Sequence, residues 1–327
     1  SNVTFENVET VYIKNFYLNN LNIFQRIYYL KQFIYTFILF IFYVFKGNFK
    51  HLFLWENFFV TIWLDRFKSK MPNYAFYNNS NCMVRPWWTF ILEKKGEKKI
   101  FMNFYSSNHF PFYTYKLTLL GTRLMTWSNY IFYTHEQSLY IKKINNYYNS
   151  YDIVGYFPFF GKHVTISKRK KIISLFPVTP FEDRVVFRDA ISQLILLQDN
   201  YYSLDNSINF FEQILACLKN YDEDIFIKLK RENINIHKDY KEYLATLEDD
   251  KRINFIDYDI SALSIIEKSN LVISPPYSSP SVIANYFNIP SIFYDSSNVL
   301  VQIEPCILKV KLIKNKDELS SWIINKL

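Results

Sequence analysis

Residues 271–295 constrain this chain more than any other stretch, because they read as strand, turn, helix, strand in one continuous order. Leu271, Val272 and Ile273 form a short apolar run of the buried-strand kind, and Pro275 with Pro276 stops it. Ser279 fits an N-cap and Pro280 the first helical position, where a missing N–H costs nothing. Asn288 and Pro290 close the helix near Phe287, ahead of a second apolar run over 291–294. A helix start dressed with hydroxyls behind a strand is an anion site, and phosphate is the expected anion.

Phosphate sites in nucleotide domains are usually cradled by glycine loops, and this chain has almost no glycine. It holds five in 327 residues, the last being Gly161. Neither a G-x-G-x-x-G nor a Walker loop can therefore exist in the second half, so helix ends and side chains must do the holding. A net charge of +8 suits an anionic ligand or an anionic surface. The one dense basic run, Lys168 to Lys171, comes with no nucleic-acid motif and reads as a solvated loop. Cys82, Cys217 and Cys306 are too scattered for a disulfide ladder or a C-x-x-C pair, which suits a reducing compartment.

Residues 1–70 are rich in aromatic side chains, and 33–45 is the most apolar run of the chain. It is short for a membrane span and has the wrong flanks for a signal peptide. Two readings stand: a buried or partner-facing helix, or an interfacial helix whose Lys31, Lys46 and Lys50 meet anionic lipid. From residue 71 the pattern becomes strand–helix alternation. Strands are expected at 73–77 and 99–105, a helix at 86–95 ended by Gly96, and a strand with a helix within 127–140. Ser106, Ser107, Asn108 and His109 follow a strand directly, which places them where open parallel sheets bind ligands.

A second domain is expected over 162–327, after a first over 71–161. Strands at 171–176, 225–231, 253–256, 271–273 and 291–294 alternate with helices at 205–220, 238–248, 261–268 and 318–325. Such repeats predict an α/β fold with a parallel sheet covered on both faces. Lys228, Lys230 and Arg231 end one strand, and Ser278, Ser279 and Ser281 follow another. In a doubly wound sheet both groups share one edge and could converge on a phosphate. Asp257-Tyr258-Asp259 matches the D-x-D metal pattern of some sugar transferases, but between a strand and a helix Asp259 reads as a cap, so no metal is expected. Glu182 and Asp183 follow the first strand of this domain; Glu93, His109, His135 and Glu136 are first-domain alternatives for an acid–base role.

Residues 225–231 followed by 271–295 resemble the donor half of GT-B-type bacterial glycosyltransferases of surface polysaccharide synthesis, chiefly through Pro276 to Pro280 and Ile292 to Asp295. Arg85 to Trp88, Glu93 and Tyr105 to Asn108 are similar to the matching stretch of the first domain. The resemblance implies a GT-B-like α/β fold, two Rossmann-like domains facing across a cleft, and a metal-independent glycosyltransferase without a cofactor. The branch using CMP-activated ulosonic acids such as Kdo is the nearest, with a glycan or lipid-linked acceptor and, by extension, lipopolysaccharide as product.

Lys228, Lys230, Arg231, Ser278, Ser279 and Ser281 would then hold donor phosphate, and Tyr277 and Asp295 would meet base or ribose. Asp183, Glu182 or Glu93 would supply the catalytic carboxylate, and Arg85, Trp88, Ser106, Ser107, Asn108 and His135 would face the acceptor. The family's acidic residue after the first donor-domain strand is replaced here by Phe176-Pro177. The expected location is cytoplasmic, peripheral at the inner face of the bacterial inner membrane, with no nucleic-acid partner. Rival readings are a nucleotide-sugar epimerase or hydrolase, and a non-catalytic glycan- or membrane-binding module.

Overall fold

A computed structural model describes residues 22–47, 64, 74–79, 85, 87–94, 99–104, 112–113, 125–144, 150–155, 171–180, 203–229, 236–276, 278–302 and 310–327. Packing divides the chain into two compact units, residues 1–74 with 86–99, and residues 75–85 with 100–327.

The first unit contains two described helices. Helix α1, Ile23–Phe45, opens with a reciprocal capping box: the Asn22 side chain accepts the Gln25 N–H at 2.8 Å, and the Gln25 side chain accepts the Asn22 N–H at 3.1 Å. It begins ten residues before the apolar run and ends where Gly47 takes a positive φ of 69°. Helix α2, Trp87–Lys94, buries Thr89 and Leu92, with Trp88 and Glu93 half-buried.

The second unit holds two main sheets. The smaller orders β1 (Tyr74–Asn79), β2 (Lys99–Phe104), β4 (Asn129–Phe132) and β5 (Ser150–Ile153) side by side, with β2, β4 and β5 parallel. Alternation along β2 buries Ile100, Met102 and Phe104 completely. Phe104 stacks on Phe132 and Tyr130 at ring distances of 5.6 and 6.0 Å, so the chain's aromatic surplus becomes core here. Helix α3, His135–Ile144, follows β4, and its Lys142 ammonium lies 3.3 Å from the Tyr151 ring on the exposed strand β5. A short antiparallel pair, β3 (Phe112–Tyr113) with β11 (Val301–Gln302), completes the strand pairing of this unit.

The larger sheet is built from β6 (Ile172–Leu175), β7 (Asp224–Lys228), β8 (Ile253–Ile256), β9 (Leu271–Ser274), β10 (Ser291–Tyr294) and β12 (Lys311–Ile313), all parallel. Its order is β12-β10-β9-β6-β7-β8. The chain thus winds outward from β6 to β8, crosses back, and winds outward again from β9 to β12, the doubly wound dinucleotide-fold arrangement.

Strand periodicity sorts the side chains. Ile173, Leu175, Ile225, Ile227, Leu271 and Ile273 pack with α4 (Leu204–Cys217), α5 (Lys238–Thr246) and α8 (Lys316–Ile324). Ile172, Phe226 and Val272 pack with α6 (Ala262–Ile266) and α7 (Pro280–Tyr286) on the other face. Both faces are covered, which is why these strands read as continuous apolar runs. The α/β expectation holds, with two separate parallel sheets as a GT-B-like plan requires.

A glycine-free half must bring helices close to strands by other means, and serine does so. Ser274, Ser281 and Ser291 are buried around α7. The Ser281 hydroxyl donates to the Ile292 carbonyl at 2.7 Å, so the 2.6 Å contact with Ser274 must be a donation from Ser274. The Ser291 hydroxyl donates to the Ser281 carbonyl at 2.8 Å. Small side chains allow the approach, and each hydroxyl finds a partner at once.

Candidate functional site

The switch point of the doubly wound sheet lies between β6 and β9, whose registers align Leu175 with Ile273. Prolines follow both strands, Pro275 directly after β9 and Pro177 one residue past Phe176, whose N–H still donates to the Ile273 carbonyl at 3.0 Å, and neither proline can donate to the ladder. A shallow crevice, open to solvent, lies at this edge between Pro177, Val178, Phe210, Pro275, Asn206, Ser207 and Ser296. The last three come from the first turn of α4 and from the turn after β10.

Hydrogen bonds fix the walls. Ser203 caps α4, accepting the Asn206 N–H at 3.3 Å, and the Ser207 hydroxyl donates back to the Ser203 carbonyl at 2.9 Å. The Ser296 hydroxyl donates to the Asn206 carbonyl at 3.0 Å, which ties the β10 turn to α4. Beside Val178, the Thr179 hydroxyl oxygen is buried without a hydrogen-bond partner among the described residues. Apolar rings form two walls and neutral polar groups the others. Asp205 already occupies the first turn of α4, so that helix end is compensated and repels a second anion. Such a crevice suits an uncharged ring with hydrogen-bonding edges better than a phosphate.

Several residues expected at the phosphate are engaged elsewhere. Lys228 is 6% exposed, and its ammonium donates to the carbonyls of Tyr258 at 3.0 Å, Asp257 at 3.2 Å and Leu229 at 3.4 Å. Burial pulls its pKa below the usual lysine value, and the Asp257 and Asp259 carboxylates oppose that pull. All three protons are thus committed, and Lys228 fastens the turn after β8 instead of projecting from the sheet edge. That turn contains the D-x-D sequence, and among the described residues no group of three or more His, Cys, Asp or Glu side chains could hold a metal.

Asp295 is fully buried. Its carboxylate accepts from the Ser297 N–H at 3.1 Å, the Ser297 hydroxyl at 2.5 Å and the Leu300 N–H at 2.8 Å, shaping the turn that carries Ser296. Its carboxylate is engaged in holding the turn at the crevice wall. Ser281 belongs to the buried relay behind α7. Ser279 has helical backbone angles and makes no side-chain cap, contrary to the N-cap expectation, because the chain already turns helically ahead of Pro280. Ser278 is half-buried at the same edge. Lys230, Arg231, Tyr277, Glu182 and Asp183 lie outside the described residues.

The acceptor-side group is divided. The Arg85 guanidinium donates to the Thr126 carbonyl at 2.5 Å and to the Ser128 hydroxyl at 3.4 Å, and lies over the Trp127 ring at 5.3 Å. That position is the amino end of β4. His135 is exposed at the carboxyl end, where α3 begins. The strand itself separates them by about 13 Å, so they cannot meet one small group. At the His135 end, the Thr134 hydroxyl accepts the Gln137 N–H at 3.1 Å and the Gln137 side-chain oxygen accepts the Tyr133 N–H at 2.8 Å. Trp88 and Glu93 belong to α2 of the first unit. Ser106, Ser107, Asn108 and His109 lie outside the described residues.

Asn206, Ser207 and Ser296 escaped sequence reasoning. The capping pattern from Ser203 marks a helix start but not its position beside β6. Only the strand order brings that helix to the switch point.

Compared with solved structures, the chain is similar to TarM at 10% identity, covering 81% of this chain and 51% of that one with a TM-score of 0.42. It is similar to an E. coli structure titled trehalose-6-phosphate bound with UDP-2-fluoro glucose, at 9% identity, 84% and 70% coverage and a TM-score of 0.42. The wall teichoic acid polymerase TagF gives 14% identity, 77% and 63% coverage and a TM-score of 0.40. The chain therefore spans about half the length of TarM. No curated protein sequence matches it. The model of the polysaccharide biosynthesis PFTS motif proteins matches residues 28–323, nearly the whole chain, and the chain belongs to that family.

Proposed function

We propose that the protein is a glycosyltransferase of surface polysaccharide synthesis, binding its nucleotide-sugar donor at the switch point of the larger sheet. The observation that carries this reading is the crevice between β6 and β9, at the place where doubly wound sheets take nucleotides. Membership of a polysaccharide biosynthesis family supplies the reaction's setting. TarM, a wall teichoic acid polymerase and a complex with UDP-2-fluoro glucose are among the structures it is similar to, in keeping with sugar-nucleotide chemistry.

The neutral, proline-walled crevice is suited to the base or sugar ring. Lys230 and Arg231, next along from β7, are assigned to the phosphate, with Ser278 at the same sheet edge. An acceptor hydroxyl attacks the anomeric carbon, the bond from that carbon to the phosphate oxygen breaks, and the nucleotide leaves with the electron pair. Asp183 or Glu182 takes the hydroxyl proton, and the cations stabilise charge on the departing phosphate. CMP is the favoured nucleotide, the acceptor is a glycan or a lipid-linked glycan, and no metal is required.

Thermal unfolding with CMP, UDP, GDP, ADP and dTDP, repeated with EDTA, tests this. One nucleotide at about a hundredfold excess over its Kd should add about 2.7 kcal/mol of stability. EDTA should leave the shift intact. If no nucleotide moves the transition, the donor-site assignment fails.

A further inference from the structure

Helix α1 exposes an apolar surface that the described residues do not cover. Tyr29 and Thr36, seven residues apart, are buried and mark the side held by protein. On the opposite side, Ile27, Ile34, Ile38 and Phe45 are 59, 49, 59 and 87% exposed, and Phe24, Leu30, Tyr35 and Phe42 widen that apolar surface around the helix. At 100° per residue Ile27 and Ile34 stand almost diametrically opposite Tyr29 and Thr36, so one continuous stripe of large side chains runs the length of the helix. Soluble surfaces seldom leave such a patch open to water.

The charges around the stripe have a single sign. Arg26, Lys31 and Lys46 are all exposed, and no acidic residue occurs between positions 23 and 47. Lys46 lies with its ammonium 4.3 Å from the Phe42 ring, its stem along the apolar surface and its charge at the end. A protein partner of ordinary kind would ask for a hydrogen bond every 100–200 Å² or so. From position 33 to 45 the only non-aromatic polar side chain is Thr36, and it is buried. Lipid asks for no such groups, and anionic headgroups match the cations.

By length and composition the whole of α1, which rises about 34 Å, could cross a bilayer, so its charges must separate lying from crossing. The uncharged run of 33–45 rises only about 20 Å, against a hydrocarbon core of about 30 Å. Lengthening it toward the N-terminus would draw Lys31 into the bilayer, and the Tyr29–Thr36 side is already held by protein.

We propose that α1 is an in-plane membrane anchor, its Ile27–Ile34–Ile38–Phe45 stripe sunk into the acyl boundary of an anionic bilayer and Arg26, Lys31 and Lys46 set among the headgroups. This placement is independent of the donor-site reading, because vesicle binding requires no nucleotide.

Cosedimentation of the full chain with vesicles of phosphatidylcholine, alone or mixed with phosphatidylglycerol, provides the test. Binding should favour the mixed vesicles and weaken with salt. Combined Ile34→Asp and Ile38→Asp should lower it by more than about tenfold. Combined Arg26→Gln, Lys31→Gln and Lys46→Gln, which touches only exposed side chains and serves if the first variant fails to fold, should lower it on the order of a hundredfold. Ile38→Trp read against the wild type should be quenched more by lipids brominated near the headgroups than near the bilayer centre. Absence of vesicle binding, equal binding by the triple variant, or stronger quenching from the bilayer centre would each overturn the proposal. So would self-association abolished by the Asp variant in a protein that ignores vesicles.

Discussion

The Ser274–Ser281–Ile292 relay makes a quantitative prediction about how a glycine-free nucleotide fold is held together. Ser281→Ala removes two hydrogen bonds, its own donation to Ile292 and the acceptor used by Ser274, worth about 1 kcal/mol each. It also strands the buried Ser274 hydroxyl, which adds about 1 kcal/mol or more of unrelieved desolvation. The sum is about 3 kcal/mol. Ser274→Ala breaks one bond and leaves Ser281 still donating to Ile292, so about 1 kcal/mol is lost. The double variant loses both bonds but strands no hydroxyl, for a total of about 2 kcal/mol. It should therefore be more stable than Ser281→Ala alone, and the pair should fall short of additivity by about 2 kcal/mol. Urea unfolding of the four proteins measures this directly. If the single effects add to within about 0.5 kcal/mol, the hydroxyls are independent and the relay carries no coupled energy.

Three further outcomes follow from the site. Lys228→Met should cost about 2 kcal/mol in urea unfolding through the lost charge-assisted bonds to the turn after β8, while nucleotide affinity stays near wild type. A tenfold loss of affinity with unchanged stability would return the ammonium to the phosphate. Ser296→Phe should fill the crevice and abolish the nucleotide-dependent thermal shift, and a full shift in that variant would place the ligand elsewhere. Burial pushes the Tyr294 phenol up to about 12, assisted by Cys217 and Asp295, against about 10 in the unfolded chain. The folded state then keeps its proton while the unfolded state loses it, so stability is full below pH 10 and falls as pH rises toward 12, by roughly 2–3 kcal/mol at most. Tyr294→Phe should flatten that alkaline slope; an unchanged slope would assign it to other groups.

Much of the larger sheet could be read from the sequence because its strands are buried on both faces. The runs at 253–256 and 291–294 fall on β8 and β10, and the 271–273 run stops one residue short of the end of β9. Asn288 closes α7 through a left-handed φ of 58°, a conformation asparagine tolerates better than most residues. Strands β5 and β12 escaped notice for the opposite reason. β5 is exposed along its whole length and β12 has three residues, so neither presents an apolar run. Side-chain commitments were harder still. Lys228 at the end of a strand looks the same in sequence whether its ammonium meets a ligand or three carbonyls, because two of those carbonyls belong to a turn about thirty residues away.

That difficulty points to how this half assembles a site. Where a glycine loop would let backbone N–H groups approach a phosphate, this sheet follows β6 and β9 with prolines that donate nothing. The opening is closed on its far side by α4 and the Ser296 turn, joined through the Ser296 hydroxyl's bond to the Asn206 carbonyl. Among the described residues, the acidic Asp205 in the first turn of α4 makes that helix start unfavourable to a phosphate. The proposed donor site therefore puts an uncharged ring in the crevice and assigns the phosphate to basic side chains. Lys228 is engaged with three carbonyls, so on that proposal Lys230 and Arg231 carry the assignment, and Lys230→Ala or Arg231→Ala should weaken nucleotide binding more than about tenfold; wild-type binding in both would refute it.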